Sequence, residues 1–393
     1  MSRNSRVRLP RAVVLGGGVN LIEVVRSLAL AGIASAVVAP DHDAARLSRH
    51  ATAITTWNWS EPGAARRDGD LVERLVAHAL RQPVPPPLLF TSDEALLFVC
   101  RHGAELGTAF RFAIGDAETV EAVVDKVRFA ALAERLGLRA PRTRIVEPWS
   151  QPPPAAPSRY GFPLIVKPYR RDRLWHESVA TAKKAVAVRD ERELADLWPR
   201  LAALSAPVVL QESVPGPESR LESYHVYVDR TGWTAGEFAG RKIRTLPPSY
   251  GHTTALAITD TVDVIEQGRE LIRALDLRGV AKVDFKRGPD GDLYVLEINP
   301  RFHLWHHAGA IAGVNIPALV YADLVDAPRP PAGPARPGVR WVHPRDVLSA
   351  RMADLSTWRW IRWAGGCEAK AFWTWNDPLP LIGAVISRIP RPR

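Results

Sequence analysis

The sequence predicts a mixed α/β and α+β protein with a parallel-sheet domain at its N-terminal end, a larger α+β body and a tryptophan-rich C-terminal extension. Three observations support this order. A strand, a glycine-rich turn, a helix and another strand follow one another from Arg11; antiparallel hairpins and helices fill the middle; and the proline-rich run at 327–338 has the composition of a linker. With 393 residues, the chain is too long for a single core.

The opening domain begins with a predicted βαβ unit that reads AVVLGGG, VNLIEVVRSLALAG and SAVVAP. We expect a third strand in PLLFTSDE and a fourth in RFAIG, at 111–115. Gly16, Gly17 and Gly18 lack the spacing of a dinucleotide-binding fingerprint. We therefore interpret them as a turn that places a helix N-terminus near a ligand, not as an NAD site.

The body is predicted to begin with helices that Asp116 caps and Gly137 ends. Strands follow in FPLIVKPY and PVVLQESV, with a strand and a helix in VAVRDERELADLWPRLAAL between them. Beyond these we expect an antiparallel pair around residues 229–232, a helix in TVDVIEQGRELIRALDL and a hairpin around Pro289-Asp290-Gly291. The predicted domain boundaries are 1–115, 116–206, 207–326 and 327–393.

Composition excludes several classes of protein. The net charge is +10, but the arginines are scattered and do not gather with aromatic residues, so we expect no nucleic-acid partner. No apolar stretch is long enough to span a membrane, and the start does not follow a signal-peptide pattern, which predicts a cytoplasmic protein. Cys100 and Cys367 are far apart and lack metal-ligand spacing, so neither a disulfide framework nor a zinc site is expected.

Lysine is rare in this chain. Only eight of the 52 basic residues are lysines: Lys126, Lys167, Lys183, Lys184, Lys242, Lys282, Lys286 and Lys370. Because the chain uses arginine almost everywhere else, we expect some of these lysines to stand where a compact ammonium group is needed.

Three oxygen-bearing side chains converge on the last predicted hairpin. Asp284 and Glu297 lie on adjacent strands, and Asn299 shares the face of Glu297 because side chains alternate along a strand. Such a cluster is costly to bury unless it meets cations, and oxygen ligands suit Mg²⁺ bound to phosphates. The alternative is a solvent-exposed polar face of an edge hairpin, which the apolar neighbours of each acid disfavour.

This hairpin resembles the metal-binding signature of the ATP-grasp superfamily, an acidic residue on one strand and E-x-N-P-R on the next. The resemblance covers residues 10–325 and implies a pre-ATP-grasp α/β domain followed by a two-lobed ATP-grasp fold. It also implies ATP and Mg²⁺, or Mn²⁺, as cofactors. By this resemblance Asp284, Glu297 and Asn299 hold the metal, and Arg301 reaches phosphate or the reacting carboxyl.

Three further segments resemble the family's nucleotide-binding elements, in the family's order. Asp125-Lys126 with LGLRAPRT resembles the entry to the first lobe, and FPLIVKP resembles the strand whose lysine contacts the nucleotide. They imply that Lys126 touches the phosphates and that Lys167 contacts the α-phosphate and the adenine side. VVLQESVPG resembles the linker between the lobes. It implies adenine recognition by Glu212 and the backbone of Ser213 and Val214, a place in the nucleotide site for Gln211, and ribose binding by Glu218.

The segment AGRKIRTLPPSYGHTT is similar to that of uncharacterised carboxylate–amine ligases of the superfamily. This likeness implies that Arg241, Lys242 and Arg244 face the triphosphate or a substrate anion, with Arg241 and Lys242 joining Arg301 in catalysis. Three close cations on one strand repel one another unless an anion lies between them. A solvated basic strand end is the alternative.

Two regions leave their roles open. The family's glycine-rich phosphate lid is replaced by YRRDRLWHESVATAKKA, where Arg170, Arg171, Arg173 and Lys184 are the candidate phosphate clamp. His303, His306 and His307 either act as a general base or line the acceptor pocket, or else lie on a helix surface. By analogy of fold, Gly16 to Asn20 and Thr91 to Glu94 line the acceptor side.

The resemblance implies an ATP-dependent ligase that joins a small-molecule carboxylate to an amine, or to a thiol, through an acyl phosphate. An ATP-dependent carboxylase and a kinase-like enzyme are the alternatives within the superfamily. A third alternative is an ATP-binding or membrane-surface protein that acts through STWRWIRWAGG, FWTW and the basic SRIPRPR. WRWIRW lacks a clean helical face, so we expect this tail to pack on the body rather than contact a membrane. A homodimer is compatible with the sequence.

Overall fold

The structure is a computed structural model that describes residues 9–59, 61, 63–150, 161–169, 174–179 and 185–386. The β-strands form three sheets, two of four strands and one of seven. None of the helices in the described ranges is long and apolar enough to cross a membrane.

The N-terminal domain is a parallel sheet of order β3-β2-β1-β4, as the sequence predicts. Its elements are β1 (Ala12–Leu15), α1 (Gly18–Leu30), β2 (Ser35–Ala39), β3 (Ala51–Thr56), α2 (Asp68–Ala79), β4 (Leu88–Phe90), α3 (Asp93–Arg101) and α4 (Gly103–Leu106). The predicted strand RFAIG is wrong, because Arg111 and Ile114 make only isolated bridges. The strand that the sequence analysis did not predict is β3. It lies at the edge of the sheet with its residues half exposed or exposed, so its sequence shows no alternation of apolar and polar residues.

The next part is an antiparallel sheet of order β5-β8-β6-β7 with one amphipathic helix against it. Its elements are α5 (Ala117–Val124), α6 (Lys126–Arg135), β5 (Thr143–Val146), β6 (Leu164–Pro168), β7 (Val186–Val188), α7 (Glu191–Ala202) and β8 (Val208–Glu212). Asp116 caps α5 as predicted, by accepting a hydrogen bond from the Thr119 amide. Asp125 ends α5 and caps α6, so its carboxylate fixes the entry to the helix that Lys126 begins.

The largest sheet has the order β13-β12-β9-β10-β11-β14-β15. Its first part contains β9 (Leu221–Val228), β10 (Thr234–Leu246), β11 (His252–Thr259), α8 (Val262–Ala274), β12 (Gly279–Arg287), β13 (Leu293–Asn299), α9 (Trp305–Ile311) and α10 (Ile316–Leu324). The predicted hairpins 229–232 and 289–291 both form. One face of this sheet packs on α8 through an apolar core that includes Tyr224 and Val283. The opposite face carries Asp284, since side chains alternate along β12.

The C-terminal extension packs on the body and completes the large sheet. It contains β14 (Arg340–Val342), α11 (Asp346–Met352), α12 (Thr357–Gly365), β15 (Ala369–Lys370) and α13 (Leu379–Ile386). β14 pairs with β11, and β15 pairs with β14. Asp346 is fully buried and accepts hydrogen bonds from Arg244, Thr254 and Trp360. The expectation that the tail packs on the body agrees with these contacts.

A buried ion pair also ties the extension to the N-terminal domain. Arg26 of α1 lies 3.3 Å from the Asp377 carboxylate, and only 3% and 1% of the two side chains are exposed. Arg26 further donates to the carbonyls of Lys370 and Asp377, at 3.1 Å each. The Ser48 hydroxyl and the Arg49 amide donate to the same carboxylate at 2.9 and 3.0 Å. Asp377 is therefore fully hydrogen-bonded without water.

Removing one partner of this pair should be costly. Arg26→Ala leaves Asp377 buried and without its cation, so we expect a loss of about 3–5 kcal/mol in the free energy of unfolding. Chemical denaturation of purified protein measures this. Arg67→Ala, which removes an ion pair with half-exposed partners, is the control and should change stability by less than about 1 kcal/mol. Equal losses of stability in the two variants would contradict the proposed contribution of the Arg26–Asp377 ion pair.

Candidate active site

The predicted metal-binding residues come together on the β12–β13 hairpin. Asp284 lies directly opposite Glu297, and Asn299 lies opposite Lys282. The Asn299 amide donates to Glu297 at 3.2 Å. Asp284 is 3% exposed and accepts hydrogen bonds from the Ser223 hydroxyl on one oxygen and from Lys282, at 2.6 Å, on the other. The hairpin thus presents carboxylate and amide oxygens from adjacent strands on one face.

Lys282 is the counter-charge of this cluster. Burial lowers the pKa of the Lys282 ammonium group, and the attraction of Asp284 opposes that effect. Burial alone would raise the pKa of Asp284, but Lys282 and Lys242 reverse this and hold it below its usual range. The two groups thus act on each other in the expected sense: each stabilises the charged form of the other against burial.

Two further lysines surround the same carboxylate. Lys242 of β10 acts electrostatically on Asp284, Lys282 and Lys286, which places it on the Asp284 face of the sheet. Lys286 is buried and is attracted by Glu218. Burial lowers the pKa of Lys286, and Glu218 opposes the shift. Lys242, Lys282 and Lys286 therefore lie among Asp284, Glu297 and Glu218, and a metal ion bound here would add the positive charge that suits a polyanionic ligand.

Arg241 and Arg244 do not join this cluster, so the prediction that Arg241, Lys242 and Arg244 face one anion is wrong. Asp284 lies opposite Ser223 of β9, whereas Arg241 lies opposite the neighbouring residue, Glu222. Because side chains alternate along a strand, Arg241 lies on the opposite face of the sheet from Asp284. There it lines a groove of about 550 Å³. A β-bulge follows Lys242, and Arg244 is bound by the buried Asp346 and lies 4.1 Å from the Trp363 ring centroid.

The two predicted nucleotide lysines of the first lobe both lie at β6: Lys167 belongs to the strand, and Lys126, at the start of α6, reaches the end of it. Lys126 donates to the carbonyls of Pro168 and Tyr169, at 2.6 and 2.8 Å. Lys167 donates to Gln211 at 3.0 Å, and Gln211 in turn donates to Thr143 at 2.8 Å. Burial lowers the pKa of Lys167, and Glu297 of the large sheet opposes the shift. This attraction places the first-lobe lysine opposite the metal hairpin.

The predicted adenine linker leaves the end of β8. Glu212 accepts a hydrogen bond from the Arg142 amide at 3.3 Å, and Val214 is buried. The Ser213 amide already donates to the Pro163 carbonyl at 3.2 Å. Tyr250 is a residue that the sequence did not indicate: it lies near Ser213 and Glu218, and burial raises its pKa. An aromatic ring therefore covers this linker from the β10–β11 connection.

Arg301 joins the hairpin to the N-terminal domain. Its guanidinium group binds the Asp93 carboxylate of α3 and donates to Asn299 at 3.2 Å. Asn20 of α1 connects the same parts, because it donates to the Thr91 carbonyl and accepts from the Leu304 amide, both at 3.1 Å. The predicted acceptor-side segments at Gly16 to Asn20 and Thr91 to Glu94 therefore adjoin the residues that follow the hairpin.

The N-terminus of α1 is already occupied by a side chain. The Gly18 amide donates to the Asp43 carboxylate at 2.6 Å. Burial raises the pKa of Asp43, and this hydrogen bond opposes the shift. A dinucleotide phosphate at this helix end would have to displace a carboxylate, which agrees with the rejection of an NAD site.

The histidines that follow the hairpin are buried, so the helix-surface alternative is wrong. His303, His306 and His307 are 4%, 0% and 5% exposed. The Nδ1 atom of His303 accepts from the Trp305 amide at 3.3 Å, so in the neutral ring the proton is on Nε2. His303 Nε2 therefore donates to Nδ1 of His225, 3.1 Å away. The ring proton of neutral His225 is then on its Nε2 atom, which has no hydrogen-bond partner in the described structure.

The hydrogen bonds of these histidines limit which of them can act as a general base. His303 uses its only lone pair on the Trp305 amide, so in this state it offers no acceptor for a substrate proton. His306 stacks on His303 and lacks a hydrogen-bond partner on either ring nitrogen in the described structure. The candidate clamp residues Arg170, Arg171, Arg173 and Lys184 lie outside the described residues.

The donor set fits a divalent ion that is shared with phosphate. No group of three or more His, Cys, Asp or Glu side chains in the described ranges could hold a metal by itself. Two opposed carboxylates and one amide supply part of an oxygen shell, and Mg²⁺ commonly completes such a shell with phosphate oxygens and water. The surrounding ammonium groups favour the same phosphate.

Sequence reasoning gave no site role to three residues, Lys282, Lys286 and Tyr250, whereas Asp93 lies within the predicted acceptor-side segment Thr91 to Glu94. The rarity of lysine was the available signal for the first two, because five of the eight lysines lie at this site: Lys126, Lys167, Lys242, Lys282 and Lys286. Tyr250 approaches from the β10–β11 connection, and no local pattern marks it.

Comparisons with known proteins agree with this geometry. Residues 220–346, which include the hairpin, match a family model described as "ATP-grasp in the biosynthetic pathway with Ter operon". The D-alanine–D-alanine ligase of Stutzerimonas stutzeri is 28% identical over 232 residues, 52% of this chain and 65% of that ligase. The D-aspartate ligase of Enterococcus faecium is 22% identical over 250 residues, 61% of this chain and 58% of the relative. The chain thus spans less than two thirds of either relative.

A solved structure shows the same fold at low identity. The ADP complex of an N5-carboxyaminoimidazole ribonucleotide synthetase superposes with a TM-score of 0.64 and 17% identity, covering 89% of this chain and 87% of that one. At this identity the likeness concerns the fold alone.

The buried histidines predict an acid-sensitive fold. Burial lowers the pKa of His306 and His307 to about 3 each, whereas in the unfolded chain each takes up a proton below about pH 6.5. Their contribution to stability is therefore present above about pH 6.5 and is lost as the pH falls, by about 2 kcal/mol each at about pH 5.

One buried carboxyl group works in the opposite direction. Burial raises the pKa of Glu23 to about 7, so the folded state gains about 2 kcal/mol between about pH 7 and pH 5. Urea denaturation across this range should show a net loss of stability towards acid. Replacing both histidines, His306→Leu with His307→Leu, should make the loss of stability towards acid clearly smaller, while His225 and His303, whose pKa values burial also lowers, keep part of it; an unchanged slope would contradict the assignment.

Proposed function

The chain is a member of the ATP-grasp superfamily, and on this premise we propose that it is an ATP-dependent ligase that joins a carboxylate to an amine through an acyl phosphate. One observation supports this proposal above the others: oxygen ligands and ammonium groups share one face of the large sheet. The residues are Asp284, Glu297, Asn299, Lys242, Lys282 and Lys286. The oxygen ligands suit the metal ion of a metal–triphosphate complex, and the ammonium groups suit the negative charge of its phosphates. The ligase relatives support an amine as the acceptor.

In the proposed complex the nucleotide lies between the four-stranded antiparallel sheet and the large sheet. Lys126 approaches from the start of α6 and Lys167 from β6, and Glu297 attracts Lys167 across this space. Glu212, Ser213 and Val214 border the adenine, with the Ser213 amide unavailable because Pro163 accepts it. Glu218 is placed for the ribose, and Gln211 holds Lys167 in position.

The first step proposed is attack of the substrate carboxylate on the γ-phosphorus of ATP, which forms a carboxyl–phosphate bond and releases ADP. This step needs positioning and neutralisation of charge rather than a protein nucleophile. Lys242 and Lys282 are placed to neutralise the transferred phosphoryl group, and Arg301, beside Asn299, is placed to hold the carboxylate. Mg²⁺, held by Asp284, Glu297 and Asn299, would supply Lewis-acid stabilisation of the phosphate oxygens.

In the second step the amine nitrogen attacks the acyl carbon, and phosphate departs with the bonding electrons. Amide formation releases the proton of the nitrogen, which the departing phosphate can accept. Asp93 lies beside Arg301 at the edge of the N-terminal domain, where its carboxylate can attract a substrate ammonium group. A thiol acceptor or bicarbonate would use the same first step, so the acceptor decides between the ligase and the carboxylase.

We propose a soluble, cytoplasmic enzyme of small substrates with domain boundaries near 115, 206 and 326. Position 115 falls between the first two sheets, and 326 falls before the proline-rich run that precedes β14. Position 206 lies inside the second sheet, because β8 pairs with β5 and β6, so we move this boundary to the end of β8, after Glu212. The substrates enter from the side of the N-terminal domain, where Asn20 and Asp93 meet the residues after the hairpin.

The release of ADP and phosphate from Mg-ATP tests the proposal. Pools of small carboxylic acids, amino acids and amines are added alone and in pairs. The proposal expects stimulation that needs both a carboxylate and an amine. Stimulation by bicarbonate alone would instead indicate a carboxylase, and phosphate transfer to an alcohol would indicate a kinase.

Removal of either metal-binding carboxylate should abolish turnover. Asp284→Asn and Glu297→Gln keep the shape of the side chains but remove the charge, so we expect ATP turnover to fall at least roughly a hundredfold with the fold retained. Circular dichroism checks the fold. Glu266→Gln on the exposed side of α8 is the matched control and should keep full turnover. Full activity in either hairpin variant would contradict the metal assignment.

Neighbouring residues on β10 give a sharper test. Lys242→Met removes an ammonium group from the Asp284 face, whereas Arg241→Met removes a cation from the opposite face. We expect turnover to fall roughly a hundredfold in the first variant and to stay within about twofold in the second. A larger loss in Arg241→Met would show that the strand register does not describe the active enzyme.

A further inference from the structure

Two helices of the C-terminal extension have an inner face that packs and an outer face that does not. On the inner face, Asp346 of α11 binds Arg244 of β10 and accepts from the Trp360 indole of α12 at 3.0 Å. Trp363 lies against Arg244, and Ala364 belongs to the small core beneath. These contacts fix both helices to the large sheet.

The outer face carries large apolar side chains that are about half to three-quarters exposed in the described structure. We call Leu348, Met352, Trp358 and Ile361 the tail patch; their side chains are 48%, 61%, 75% and 48% exposed. Leu348 and Met352 are one helical turn apart on α11, and Trp358 and Ile361 are one turn apart on α12. Since α11 and α12 pack together, the four side chains form one apolar surface.

The tail patch is bordered by cations without partners. Arg345, Arg351, Arg359 and Arg362 are all exposed, and none has an ion pair in the described ranges. Elsewhere, arginines such as Arg26, Arg287 and Arg329 are bound by carboxylates. Asp354 is the single acidic residue between Val347 and Gly366. The surface that covers the patch should therefore carry negative charge.

We propose that the tail patch docks on the surface of an anionic lipid bilayer. Tryptophan and arginine suit the boundary between lipid headgroups and acyl chains, where the indole is buried and the guanidinium group meets phosphate. No described helix spans a membrane, so the contact is peripheral. The aliphatic side chains of the tail patch do not suit stacking on nucleic-acid bases.

Sedimentation of the full-length protein with vesicles tests the proposal. Vesicles of equal parts phosphatidylglycerol and phosphatidylcholine are compared with vesicles of phosphatidylcholine alone. We expect binding to the anionic vesicles that weakens with added salt. Trp358→Ser with Ile361→Ser should lower binding at least roughly tenfold, and Arg359→Gln with Arg362→Gln should lower it about as much on anionic vesicles.

Matched variants outside the patch serve as controls. Trp233→Ser removes another exposed tryptophan, and Arg135→Gln with Arg192→Gln removes two exposed arginines; each should keep full binding. Equal losses in the control and patch variants, or no binding to anionic vesicles, would overturn the proposal. Sedimentation equilibrium without lipid gives a further check: a dimer that the Trp358→Ser and Ile361→Ser changes dissociate would identify a second copy as the occupant and also overturn it.

Discussion

A buried carboxylate opposite a second carboxylate is the constraint on which the rest of the site depends. Asp284 is almost inaccessible to water and faces Glu297 across the hairpin, an arrangement that repulsion and desolvation both oppose. The chain resolves this locally with the Lys282 ammonium group and the Ser223 hydroxyl. Lys242 and Lys286 add positive charge that Glu297 and Glu218 offset, so a metal ion bound here would supply the further positive charge that attracts a polyanion.

The other parts of the molecule are positioned relative to this hairpin. Lys167 reaches towards Glu297 from the antiparallel sheet of the first lobe, and Arg301 extends from the hairpin to Asp93 of the N-terminal domain. The C-terminal extension holds Arg244 away from the site, which leaves Lys242 alone of the three β10 cations on the Asp284 face. The extension therefore helps to define the charge of the site as well as completing the sheet.

Much of this could be predicted because it is local. The hairpin, its turn and the opposition of Asp284 and Glu297 follow from strand alternation over a short stretch, and the four family segments occur in the expected order. The N-terminal parallel sheet was predictable from its buried strands, whereas β3 was not, because an edge strand with half-exposed residues shows no clear periodicity. The domain boundaries and individual site roles remain predictions.

The wrong predictions concern side chains whose positions are determined by tertiary contacts rather than by the local sequence. Arg241, Lys242 and Arg244 form one basic run in sequence, but alternation places Arg241 on the far face, and a bulge directs Arg244 to an acid about a hundred residues away. The sequence offered no sign of Asp346 as a partner. His303 and His306 likewise belong to a buried aromatic group with His225 and Phe238, which no spacing along the chain reveals.

The central claim is that a substrate carboxylate attacks the γ-phosphorus at this hairpin. Isotope transfer tests it most directly: the carboxylate that stimulates ADP release is labelled with oxygen-18, and the released phosphate is analysed by mass spectrometry. An acyl phosphate leaves one carboxylate oxygen in each phosphate, so the account predicts one labelled oxygen per turnover. Unlabelled phosphate with the label retained in the product, or label found in AMP, would contradict it.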